Sequence, residues 1–117
     1  MINKTPLQVK SYSFALRIIK LNKYLLNKKK EFVISKQLLR SGTAIGALIK
    51  EAEFAQSNAD YISKFSIALK EANETLYWLS LLKDSNEITN KEFNSIEPEI
   101  SELIKLLVSS IKTLKSK

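Results

Sequence analysis

The sequence predicts an all-α protein, an antiparallel up-down-up-down four-helix bundle. Three observations carry that expectation. Apolar residues recur at helical spacing in four separate blocks of the 117 residues. Only two Gly and two Pro occur, too few for a turn-rich β fold. The breaks between blocks are short, and long helices joined by short loops pack side by side in opposite directions. The whole chain, 1–117, reads as one domain, with helices over about 7–27, 35–56, 58–84 and 89–115.

The first block follows Pro6. Phe14, Ile18, Leu21 and Leu25 share one side, and Tyr12, Ala15, Ile19 and Leu26 widen it. Lys10, Arg17, Lys20 and Lys23 occupy the opposite arc, and Lys28-Lys29-Lys30 ends the helix, where cations suit the negative pole of the dipole. The connector Glu31-Phe32-Val33-Ile34 is expected to seal the end of the bundle with its apolar side chains.

The second block starts near Ser35, a good N-cap, and buries Leu38, Ile45, Ile49 and Ala52. It holds both glycines, Gly42 and Gly46, each costing about 1 kcal/mol relative to Ala. Four apart, they share a side, which points to close approach of a second helix or to a mild kink.

The third block opens at Ser57, paired with Asp60 as a capping box. Ile62, Phe65, Leu69, Ala72, Leu76 and Leu79 form its core stripe. Ile67, Trp78 and Leu81 lie on the other side among Glu71 and Glu74, and a stripe of that kind is expected to join subunits. Within the helix, Lys70 is placed to pair with Glu74 at i,i+4. The fourth block starts with a Thr89–Glu92 capping box and carries Phe93, Ile96, Ile100, Leu103, Leu107 and Leu114. Pro98 is expected to kink it or to make it restart.

The absences narrow the chemistry. Without Cys or His there is no thiol nucleophile, no Ser-His-Asp triad and no ordinary zinc set. No glycine-rich phosphate loop is present. Glu71 and Glu74 read as structural or interface salt-bridging groups rather than an acid–base pair. The expectation is therefore a non-enzyme with no cofactor and no metal. No apolar run approaches the roughly 18 residues of a membrane span. The opening MINKTPLQVK lacks a signal peptide's apolar centre, so a cytoplasmic location without membrane attachment is expected.

Charge supplies the functional signal. Of a net +7, residues 1–40 alone hold ten basic side chains against the single acid Glu31, and residues 41–117 are net −2. Clustered Lys and Arg attract phosphate backbones and release counterions. The expected nucleic-acid contacts are Lys10, Arg17, Lys20, Lys23, Lys28, Lys29 and Lys30, with Arg40 a weaker candidate. Tyr24 lies near their arc, placed to stack on an unpaired base. The alternative is an adaptor whose partner is an acidic protein.

Two segments carry a family resemblance. One is Arg40-Ser41-Gly42-Thr43-Ala44-Ile45-Gly46-Ala47, continuing through Ile49 and Glu51-Ala52. The other is Ile67-Ala68-Leu69-Lys70-Glu71-Ala72 with Glu74-Thr75 and Tyr77-Trp78-Leu79. FALRIIKL and SKQLLRSG fit as well. Together they resemble the bacterial 23S rRNA-intervening-sequence proteins, with Leu48 standing where that family often has Asn. The resemblance implies an antiparallel four-helix protomer in a ring-like homo-oligomer, typically a pentamer, with no assigned catalysis. A similar relative is the accessory protein of diversity-generating retroelements, which binds nucleic acid and a reverse transcriptase. The implied partners are the chain itself, RNA or DNA, and a reverse transcriptase or other protein.

Overall fold

A computed structural model describes residues 4–117. They form four helices and no strand: α1 (Pro6–Asn27), α2 (Ile34–Ala52), α3 (Asn58–Asp84) and α4 (Asn90–Lys115). α1 packs on α2 and α4, and α3 packs on the same two, so the helices close a four-membered bundle. It measures 46 × 26 × 23 Å. That length suits α3, whose 27 residues span about 40 Å at 1.5 Å each.

Each helix begins where a side chain satisfies its free N–H groups. Thr5 caps α1. Its hydroxyl accepts from the Gln8 N–H at 3.2 Å, and the Gln8 side chain accepts from the Thr5 N–H at 2.9 Å. Pro6 takes the first helical position, where its missing N–H costs nothing. The Thr89–Glu92 box opens α4 in the same reciprocal way. At α3, Ser57 accepts from the Asp60 N–H, but the Asp60 carboxylate turns to the Gln56 N–H, so the box is only half made.

α2 departs most from expectation. Its cap is Glu31, not Ser35. One carboxylate oxygen accepts from the Val33 and Ile34 N–H groups, and the other from Ser35 at 2.6 Å. An anion at the positive pole of a helix does what a serine cap would do. Ser35 is buried inside the helix, its hydroxyl donating to the Glu31 carbonyl at 2.7 Å. α2 also stops at Ala52 rather than 56. Phe54 beyond it is 75% exposed, so the buried stripe ends there too. In α4, helix continues through Pro98 without a restart.

The core threads all four helices. Phe14, Ile18, Leu25, Leu38, Ile45, Leu79, Leu82, Ile100, Leu103 and Leu107 are all but inaccessible. Burial of each such side chain stabilises by about 1.5–3 kcal/mol. Two polar links lie among them. Thr75 donates to Ser41 at 3.0 Å, and the Asn22 amide donates to the Ser35 carbonyl at 3.1 Å. Each fixes a helix pair in one register, because a half-made buried link would leave a polar group unsatisfied.

The two glycines mark the α1–α2 seam. A Cβ on Gly42 would lie 2.8 Å from Ile18 Cγ1, inside any tolerable contact. A Cβ on Gly46 would lie 3.4 Å from the Ser11 carbonyl oxygen. Close approach of α1 is therefore the reason for glycine at 42.

Three apolar placements differ from the periodicity. Phe32 and Val33 do not seal the bundle; they are 59% and 74% exposed. Tyr12 and Ile19 lie outside the core, with Tyr12 68% exposed. Trp78 is drawn in against the core rather than presented on the outer face.

Candidate nucleic-acid interface

The cations named from the sequence divide into two groups. The first is engaged within the chain. Lys10 pairs with Glu102 at 3.1 Å. Arg17 pairs with Glu99 and donates to the Ser95 carbonyl and hydroxyl at 3.1 and 3.0 Å. Both partners lie on α4, so these residues brace α1 against α4. Arg40 bridges α2 to α3, reaching Glu71 at 3.3 Å and Glu74 at 2.6 Å. These two carboxylates, Glu74 foremost, raise the Arg40 pKa above its ordinary value. Glu74 also accepts from the Trp78 indole N–H at 3.2 Å. The expected Lys70–Glu74 pair gives way to this arrangement.

The second group is Lys20, Lys23, Lys28, Lys29 and Lys30. All five are exposed, and among the described residues none enters an ion pair. They run from the second half of α1 into the connector. Lys30 adopts φ 55°, the left-handed region. A side chain there costs about 1–2 kcal/mol that glycine would avoid. Tyr24 is not a free stacking surface, since its ring packs partly buried against the core. It lines a cleft of about 500 Å³ between α1 and α4 with Arg17, Lys20 and Lys91. Lys91 escaped sequence reasoning because it stands alone in an acidic stretch; only the packing of α4 brings it to this cleft.

The apolar surface is also distributed differently from expectation. Of the residues read as an interface, Ile67 is 42% exposed, whereas Trp78 and Leu81 are half-buried and Glu71 and Glu74 hold Arg40. α1 carries a longer open stripe of Val9, Tyr12, Leu16 and Ile19. Tyr12, Leu16 and Ile19 line a groove of about 540 Å³ whose other wall is α2 at Thr43, Gly46 and Ala47. The low side chains of α2 open this groove, a consequence the helical period alone does not show. Among the described residues, no helix is long and apolar enough to cross a membrane.

The fold defines the chain as an all-α four-helix-bundle protein. Residues 4–109 match the 23S rRNA-intervening sequence protein family. The chain belongs to that family. It is also similar to a crystal structure from Bacteroides thetaiotaomicron, described as a protein with unknown function from the S23 ribosomal protein family. The two share 57% identity with a TM-score of 0.90, over 91% of this chain and 98% of that one. No curated protein matches the sequence.

Proposed function

We propose that this protein is a non-enzymatic, self-associating helical bundle that binds RNA or DNA through backbone phosphates. The observation that carries the reading is the unspent set Lys20, Lys23, Lys28, Lys29 and Lys30. Amines with no carboxylate partner lose little by turning to a phosphate, whereas Lys10, Arg17 and Arg40 must first leave one.

An antiparallel protomer accounts for the order of contacts. Lys10 meets Glu102 while Arg17 meets Glu99, and Ser11 lies by Gly46 while Ile18 lies by Gly42. Residue numbers rise on one helix as they fall on its neighbour. Self-association into a ring, a pentamer by family resemblance, is supported by the open apolar stripe of α1 together with Ile67 and Tyr77 on α3. The non-enzymatic reading is supported by Glu71 and Glu74. Both are held by the Arg40 guanidinium as ion-pair partners that tie α2 to α3.

Fluorescence anisotropy against labelled duplex, titrated with salt, tests the reading. With five phosphates neutralised, log affinity falls with log salt at a slope of about −4.5. Affinity indifferent to salt, or no binding at about 50 mM salt, removes it. Competition by polyglutamate that leaves nucleic acid unbound at every salt points instead to an acidic protein partner.

A further inference from the structure

The connector between α1 and α2 combines features that the phosphate-binding reading does not explain. Phe32 and Val33 are among the most exposed apolar residues of the described chain, separated from three lysines only by Glu31. Exposure of this kind is ordinary in a slack loop, but this one is tied on both sides of Phe32. The Glu31 N–H returns to the Leu25 carbonyl at 3.0 Å. The Glu31 carboxylate takes three successive N–H groups, and its carbonyl accepts from the Ser35 hydroxyl. Ser35 is itself held by the buried Asn22 amide. Phe32 therefore stands outside because the backbone places it there.

Lys30 sharpens the point. Its left-handed backbone is where glycine or asparagine would sit without penalty, yet a lysine occupies it. The left-handed turn there ends α1 through the Glu31–Leu25 return, and the residue that occupies it carries a long cationic side chain outward. The connector thus displays three unpaired ammonium groups within four residues of an exposed aromatic ring on a tied backbone.

That pairing of groups has a specific complement. Single strands offer phosphates at short intervals and bases whose faces are free to stack, while a duplex hides those faces. A lipid surface would also attract the lysines. Two apolar side chains on a tight turn, however, bury little area for membrane attachment. We propose that residues 28–33 form a binding site for single-stranded nucleic acid. Phe32 stacks on an unpaired base, and Lys28, Lys29 and Lys30 neutralise the flanking phosphates. The proposal rests on the phosphate-binding reading and adds to it a preference for unpaired strands.

The test compares a labelled oligouridine with a duplex of equal length, using the full chain. Phe32→Ala is expected to weaken single-strand binding about 10-fold, with duplex affinity and both salt slopes unchanged. Phe32→Trp should restore it. Replacing Lys28, Lys29 and Lys30 together by Ala should flatten the single-strand salt slope by about 2. If Phe32→Ala changes neither affinity, or both equally, the stacking site is overturned while phosphate binding stands. If the unaltered protein binds neither probe at low salt, both readings fall together. Binding to phosphatidylserine vesicles that Phe32→Ala abolishes, with oligouridine affinity untouched, overturns the site in favour of a membrane contact.

Discussion

α1 meets its two neighbours by different means. Against α2 it comes so close that Gly42 has no room for a methyl group beside Ile18. Against α4 it stands off, and long side chains span the gap: Lys10 to Glu102, and Arg17 to Glu99 and Ser95. The first seam specifies the packing through shape. The second draws on charge, and it consumes cations that sequence reasoning assigned to a ligand. Beyond Arg17 the ionic seam ends, and from there the lysines are free. The lesson is that a helix's cationic face is not one functional unit. The part facing a neighbour's carboxylates serves the fold, and the part that outruns them is open to a partner.

The largest expected effects test the steric seam. Gly42→Ala places a carbon against the branched part of Ile18, not the end of a flexible chain. Overpacking of that kind costs about 1–3 kcal/mol. The gain in helix propensity returns about 1 kcal/mol, leaving a net loss of about 1 kcal/mol and a Tm lower by about 4 °C. Gly46→Ala makes only an ordinary contact with the Ser11 carbonyl. There the propensity gain prevails, and stability should rise by up to about 1 kcal/mol. Thermal unfolding of both variants decides the matter. If the two alanines act alike, the difference between the glycines is not steric, and the close seam loses its explanation.

Much of this architecture was readable before any coordinates. Four helices follow from apolar spacing and from caps such as Thr89–Glu92, both encoded by residues a few positions apart. The close approach at Gly42 was readable because an unfavourable residue in a helix needs a reason. What the sequence hid was decided by distant packing. Lys70 is the local partner for Glu74, yet Arg40 on α2 reaches both glutamates once α2 and α3 pack, and a guanidinium can serve two carboxylates. Glu31 looked like a lone acid in a basic run, and its three N–H contacts appear only when the chain turns back on itself. Phe32 and Val33 looked like sealing residues because apolar composition says nothing of direction. The site was therefore half legible. Its charge was visible in the composition, but which charges are spent was not.

The smallest effects probe that last division. Arg17 and Glu99 are each about two-fifths exposed at the side chain, so screening limits the pair. A double-mutant cycle with alanine at both positions should return a coupling of about 0.5 kcal/mol. The ligand-binding consequence is more telling than the stability change. Arg17→Ala should leave the salt slope of nucleic-acid binding unchanged, because the guanidinium is already occupied by Glu99 and Ser95. Lys20→Ala should flatten the slope by about 0.9, the share of one phosphate contact. Glu99→Gln supplies the converse, since it removes the carboxylate and leaves the guanidinium beside Lys20 in the α1–α4 cleft. A slope steeper by up to about 0.9 is then expected. If Arg17→Ala flattens the slope as much as Lys20→Ala does, the ion pair yields to phosphate without penalty, and the boundary drawn along α1 between structural and functional cations disappears.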